Sequence, residues 1–358
     1  MGAQKALAHF LYVSRPRWVT LVSMLARSRL FFALPLLASA LCLAQSPAPH
    51  EDTQLDRDLQ AIASAHQGGL AVFAQNLETG ETASYQPDLA VKTASTIKMA
   101  ILLDAAEQIR AGHATLQEKL VLQKNNQAPG SGVLAQLDTP LALTLKDALT
   151  LMVIVSDNTA TNLAIDRLGL DHINQTSRDA ELKQTWLYKK IFVPATGPMP
   201  SDQPKFGLGK TTPREMASIM TRFATCNLAL GKDHALPADS ALCGAILHML
   251  RNQQDRDGVP RYLENLDTSE HGSAIANKTG ALDAVRNDVA LLASKSGPIV
   301  IAAFTFDNKD QRWTGDNEGQ KTLAKVGQAV VQRWSPQGLD ADSFPWDNPP
   351  AQTSAGQP

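Results

Sequence analysis

The sequence predicts a two-lobed α/β (α+β) fold. An antiparallel sheet of about five strands is flanked by the first and last helices, and an all-helical lobe is inserted between the sheet's two halves. Three observations carry this reading. Strand-like runs cluster toward the two ends of the globular part. The stretch from about 95 to 265 repeats apolar residues at helical spacing. The outermost segments are themselves amphipathic.

Taken in order, residues 54–66 ("QLDRDLQAIASAH") place Leu55, Leu59 and Ile62 on one helical face. "GLAVFAQNL" and "ETASYQ" follow, joined at "ETG", and read as a hairpin turning at Gly80. The middle supplies helices in "STIKMAILLDAAEQIRAG", "TLKDALTLMVIVS", "NTATNLAIDRLG", "TPREMASIMTRFA" and "ADSALCGAILHMLRN". Three strand-like runs come next, "GSAIANKTGAL", "VRNDVALLAS" and "PIVIAAFTF", and the helix "EGQKTLAKVGQAVVQRW" closes the fold. Residues 335–358 are rich in Pro, Ser and Gly and are expected to be disordered. A cleft is expected between the lobes.

The 358 residues carry a net charge of −2 that hides an asymmetry. Lys5, Arg15, Arg17, Arg27 and Arg29 precede the first acid, Glu51. Residues 30–44 ("LFFALPLLASALCLA") form a 15-residue apolar run behind Arg27 and Arg29. That is shorter than the ~20 residues a membrane span needs and has the form of a secretory signal. Cleavage after Ala44 satisfies the small-residue rule, and Met24 is an alternative start for such a signal. The expectation is a mature chain of 45–334 plus its tail, periplasmic or secreted, with no membrane span after processing and a monomeric state. No basic stripe marks a nucleic-acid site. The six histidines after residue 50 are scattered without an H-x-x-x-H pair, so neither a metal nor another cofactor is expected. Export makes a bridge between Cys226 and Cys243 chemically possible, and two buried thiols fit the sequence equally well.

One stretch suggests a nucleotide site and fails. "FGLGKTTP" (206–213) ends like a phosphate loop, but Pro204 stands where that motif needs its first glycine. Instead Thr211 or Thr212 is expected to cap a helix with Pro213 in its first turn.

Three other stretches carry chemistry. In "TASTIKMAILL", Ser95 and Lys98 are three apart on a helix face, where an amine can take a hydroxyl's proton. Ser-x-x-Lys alone is commonly a cap beside a surface lysine. In "VSDNTATN", Ser156 can relay a proton and Asn158 can offer an amide to a substrate amide; the bland alternative is a polar helix end. In "ANKTGALDAVRNDVALL", a strand-like run reaches Gly280; Lys278 can supply positive field, Thr279 can bind a carboxylate, and Ala281 can offer a backbone N–H. A solvated edge strand is the competing reading.

The order and spacing are less easily accidental: Ser156 follows Ser95 by 61 residues and Lys278 follows Ser156 by 122. Together with "GSGVL" (130–134) and "TTPREMA", they make residues 53–334 resemble the class A β-lactamases and, more broadly, the penicillin-recognising serine hydrolases. The resemblance implies Ser95 as acylated nucleophile, Lys98 as its base, Ser156 as proton relay, and the N–H groups of Ser95 and Ala281 as oxyanion hole. It also implies that Asn158, Lys278, Thr279, Gly280 and Arg286 bind substrate, a small-molecule β-lactam or a peptidoglycan-like acyl donor. Members of that class carry a deacylating glutamate in an E-x-x-L-N motif, which is absent here. Between Asn158 and Thr211 the acids are Asp166, Asp171, Asp179, Glu181 and Asp202, and only Asp202 falls in the corresponding loop. The expectation is therefore a β-lactam-opening hydrolase. The alternatives are a penicillin-binding peptidase or esterase with slow deacylation, and a sensor that is acylated once.

Overall fold

The structure is a computed structural model describing residues 48–346, except 196, 231–238 and 268–271. The expected signal segment at 30–44 and the last twelve residues of the tail lie outside the described residues.

The chain opens with β1 (His50–Glu51), α1 (Thr53–Ala65), β2 (Gly69–Asn76), β3 (Glu81–Tyr85) and β4 (Val91–Lys92). A 3-10 turn at Ala94–Ile97 runs straight into α2 (Lys98–Arg110). β5 (Lys119–Leu122) pairs with β6 (Leu141–Thr144), and α3 (Leu145–Ile154), α4 (Asn158–Leu168) and α5 (Leu170–Asp179) follow. Then come β7 (Trp186–Leu187), α6 (Gln203–Phe206), β8 (Gly209–Thr211), α7 (Pro213–Thr225), α8 (Ser240–Arg251) and α9 (Glu264–Asp267). β9 (Ile275–Leu282), β10 (Val285–Ser294), β11 (Gly297–Phe306) and α10 (Glu318–Trp334) finish the fold.

The main sheet runs β1-β3-β2-β11-β10-β9. Five of its strands are the antiparallel set expected from sequence. The sixth, β1, is a two-residue parallel addition beside β3, too short to leave a sequence signal. The β2–β3 hairpin turns at Gly80, whose φ of +78° suits a residue without a Cβ. Alternation along the strands divides the core. Val289 and Leu291 of β10, with Ala71, Phe73, Val300, Ala302 and Phe304, pack on α2, α7 and α8. Ala290 and Leu292, with Leu70, Val72, Ile299 and Ile301, pack on α1 and α10. With helices on both faces, β10 is buried throughout its length.

The terminal helices are joined by Asp52. Its carboxylate caps α1 by accepting from the Gln54 and Leu55 N–H groups, at 3.1 and 3.2 Å. It also accepts from Arg333 Nε at 2.6 Å and Trp334 Nε1 at 3.1 Å, both on α10.

One sequence expectation needs correction. The segment 335–346 is not disordered. Leu339 bridges to Ser294, Phe344 is buried against the guanidinium of Arg251, and Trp346 Nε1 donates to Ala224 O at 2.9 Å. Its scattered apolar residues act singly, so they show no periodicity. In addition, α5 occupies a stretch to which the sequence assigned no element. Its apolar anchors are few, and much of its buried face is polar. Asn174 holds Leu187 through both N–H and C=O, and Thr176 donates to buried Asp104.

Candidate active site

The nucleophile candidate sits on the 3-10 turn. Ala94 adopts φ +45°, an uncommon conformation for a residue with a Cβ, and Ser95 follows it, partly exposed. The turn is pressed against the edge strand β9. A Cβ on Gly280 would come within 2.8 Å of Thr93 O, 2.9 Å of Thr96 N and 3.0 Å of Ser95 N. Glycine is therefore required there for the two backbones to meet. Asn287, the cross-strand partner of Gly280 on β10, fastens the turn from below by donating to Lys92 O at 2.9 Å and Thr93 O at 3.0 Å. Ala281 follows on the same edge, where alternate N–H groups are left unpaired by the sheet.

Lys98 begins α2 and is completely buried. Its Nζ donates to Ser156 O at 2.7 Å and Ser156 Oγ at 3.0 Å, and lies 3.4 Å from Asn158 Oδ1. Lys278 is equally buried and reaches the same hydroxyl from the sheet side, with Nζ 3.1 Å from Ser156 Oγ and 2.7 Å from Thr279 O. One hydroxyl oxygen thus stands between two amines contributed by opposite lobes. Ser156 holds this position with φ +55°, a second left-handed non-glycine residue at the site. Among the described residues, Ser95 Oγ has no hydrogen-bond partner. Catalytic contacts are commonly completed only with substrate bound.

Burial sets the electrostatics. Desolvation, reinforced by the charge of Lys278, holds the Lys98 ammonium well below the usual lysine range, with Asp157 opposing. Desolvation also lowers Lys278 to about 8, opposed by Asp255 and Asp288. An amine that is readily neutral therefore sits beside one that keeps its proton up to mildly basic pH. That pairing suits a base and a field-supplying cation.

Two sequence candidates are placed elsewhere. Arg286 lies on the β10 face shared with Asp288, packed toward α10 rather than toward the Ser95 turn. Its guanidinium donates to the Leu282, Val285 and Arg312 carbonyls and stacks on Trp313 at 4.9 Å. The strand's period of two explains the correction: an even-numbered residue of β10 cannot share the face of Asn287. Asp202 is held by Tyr188 Oη at 2.7 Å and Lys210 Nζ at 2.6 Å, one on each carboxylate oxygen. The Lys210 hydrogen bond, then that of Tyr188, lowers its pKa. This carboxylate braces the loop. "FGLGKTTP" thus supplies Lys210 for that brace, β8 alongside β4 just ahead of the Ser95 turn, and Thr212 as N-cap of α7.

Several positioning residues went unrecognised in sequence. Buried Asp157 caps α4 through Ala160 N at 2.8 Å and draws in the "GSGVL" segment through Val133 N at 2.6 Å and Leu134 N at 2.8 Å. Asn162 clamps Ile191 by both backbone groups, at 2.8 and 3.0 Å. Its i+4 relation to Asn158 was the available signal. Asn287 had none, because a strand asparagine reads as a defect until its partner turn is known.

Comparisons with known proteins place the fold and the family. A β-lactamase from Bacillus licheniformis is 26% identical over 304 residues, covering 81% of this chain and 87% of that protein. A β-lactamase regulatory protein from Streptomyces cacaoi is 28% identical over 131 residues, 36% of this chain and 40% of its own length. Among solved structures, a β-lactamase from Sphaerobacter thermophilus is 29% identical with a TM-score of 0.65, covering 78% of this chain and 97% of that one. The structure of PBP-A, 24% identical, superposes with a TM-score of 0.65 over 80% of this chain and 98% of its own, a likeness of fold. The sequence model of the Beta-lactamase enzyme family matches residues 54–334, from α1 through α10, and the chain belongs to that family.

Proposed function

We propose that this protein is an exported serine hydrolase that opens β-lactam rings by acylation of Ser95 and releases the product slowly. The observation that carries the reading is the Ser156 hydroxyl, 3.0 Å from Lys98 Nζ and 3.1 Å from Lys278 Nζ. Neutral Lys98 takes the proton from Ser95 Oγ as that oxygen attacks the lactam carbonyl. A C–O bond forms, and the Ser95 and Ala281 N–H groups receive the oxyanion. Ser156 passes its hydroxyl proton to the ring nitrogen as the C–N bond breaks and takes the proton held by Lys98, whose Nζ lies 3.0 Å from its Oγ, so that Lys98 is neutral again; Lys278 supplies the field that holds the substrate carboxylate.

Release requires a base that orients water against the ester. Residues 186–200 contain no Asp or Glu, and both oxygens of Asp202 are already engaged. The same observation favours a second reading, a penicillin-binding peptidase or esterase whose natural acyl donor is a peptide. Export rests on the 30–44 segment and is tested by N-terminal sequencing of the secreted protein: retention of that segment counts against it.

A coloured cephalosporin followed by intact mass measurement tests the central claim. The expected result is a burst of ring opening equal to the enzyme, then slow turnover, with a persistent adduct on Ser95. Ser95→Ala is expected to give neither, and labelling of that variant would overturn the assignment. Asp202→Asn is expected to leave both burst and adduct lifetime unchanged. A longer-lived adduct would return Asp202 to the chemistry.

A further inference from the structure

We infer that Asp288 is a positioning residue for the acylation chemistry, a buried carboxylate on β10 that partners the charge of Lys278. The inference rests on the acylation reading above. Asp288 is completely buried and pairs across the strands with Thr279, one register step from the equally buried Lys278. Both of its hydrogen-bond donors among the described residues are neutral. Asn277 Nδ2 lies 3.0 and 3.2 Å from its two oxygens, and Val259 N donates to it at 2.9 Å. Arg256 holds Asn277 Oδ1 at 3.1 Å, which turns the amide nitrogen toward Asp288, while its own charge is paired with Asp267. Gly258 completes the cradle: a Cβ there would come within 2.6 Å of Asp288 Oδ2.

A carboxylate taken out of water and bound by neutral groups is costly unless another charge offsets it. Arg286, two residues earlier on the same strand face, is turned to the Leu282, Val285 and Arg312 carbonyls. Lys98, across Ser156 with Asp157 next in the chain, must be neutral to act as base. That leaves Lys278 as the buried cation to balance Asp288. Desolvation raises Asp288 to about 6, with Asn277 and the Val259 N–H opposing and Asp255 adding to the rise. Desolvation lowers Lys278 to about 8, opposed by Asp255 and Asp288. Between those two values both groups are charged, and each charge favours the other. Asp255 is partly exposed and screened by water, whereas Asp288 and Lys278 both lie out of its reach.

The test titrates Lys278 itself by NMR of the lysine Cε signals, with its resonance identified by its loss in Lys278→Gln. Asp288→Asn is expected to lower the Lys278 midpoint by about one pH unit or more, and to move the alkaline limb of acylation with it. The double variant Asn277→Asp/Asp288→Asn returns one negative charge and a complementary amide–carboxylate bond, and should bring the midpoint back toward the wild type. A carboxylate with a merely structural role would weaken the fold or lower acylation at every pH and leave the Lys278 midpoint in place; that result would overturn the proposal. Should Asp288→Asn not fold, the reciprocal measurement decides: the Asp288 midpoint, read from its Cγ signal, must be higher in Lys278→Gln than in the wild type, and equal midpoints refute the pairing. A wild type that penicillin does not acylate would overturn the acylation reading instead, while the Lys278 titration would still test its partner.

Discussion

On the acylation reading, Lys98 and Lys278 do opposite work with the same side-chain type, because burial acts with different neighbours. Lys98 must be neutral to accept a proton, and its lowered pKa extends that state to lower pH. Lys278 must keep its charge, which it loses through about pH 8. Acylation should therefore fall at acid pH as Lys98 is protonated, and fall again above about pH 8 as Lys278 is neutralised. The second-order acylation constant measured from pH 5 to 10 checks this, and Lys278→Gln should lower the plateau at least tenfold and remove the alkaline limb. An unchanged alkaline limb in that variant would transfer it to another group. Both residues were legible in sequence because each lies in a short motif of fixed spacing. Arg286 was misplaced because proximity in sequence says nothing about which face of a strand a side chain takes. The bracing of Asp202 was not legible, because its partners, Tyr188 and Lys210, lie fourteen and eight residues away across a loop without periodicity.

Among the elements, the contact between β9 and the Ser95 turn decides whether the site exists. Gly280→Ala places a methyl group within about 3 Å of three backbone atoms, none of which can swing aside as a side-chain tip could. The strand or the turn must shift, moving Ala281 relative to Ser95. Small displacements of oxyanion donors are costly, and acylation should drop by about 10²-fold, with the folded state retained by circular dichroism. Near-normal acylation would show that the edge strand can relax without disturbing the donors. Of the long elements, α7 and α10 were evident from helical periodicity, and β10 and β11 from strand-like runs, β10 and most of β11 being buried on both faces. α5 was missed for the converse reason. It is secured by Asn174 and Thr176 bonding to other segments, and such bonds obey no period.

On the scale of the molecule, Cys226 and Cys243 are joined in a disulfide with Cα atoms 5.7 Å apart, linking the end of α7 to α8. The sequence left bridge and free thiols open. Closing a loop of this length restrains the unfolded chain, and replacing both cysteines by alanine should cost about 3 kcal/mol in urea unfolding. Acylation at 25 °C should persist, since the Ser95 turn rests on α2 and β9 rather than on this pair. An unchanged unfolding midpoint would show that the native packing of α7 and α8 suffices without the covalent link.

The two amines that meet at Ser156 come from distant parts of the chain, Lys98 from the first third and Lys278 from the last. During synthesis, therefore, the nucleophile is made long before the cation and the glycine edge that complete its surroundings. On the acylation reading, a polypeptide arrested before β9 carries Ser95, Lys98 and Ser156 but lacks Lys278 and the Gly280 edge, and it should not react with an acyl donor. Penicillin labelling, if Ser95 is the nucleophile, should then count finished, correctly assembled molecules and pass over nascent ones.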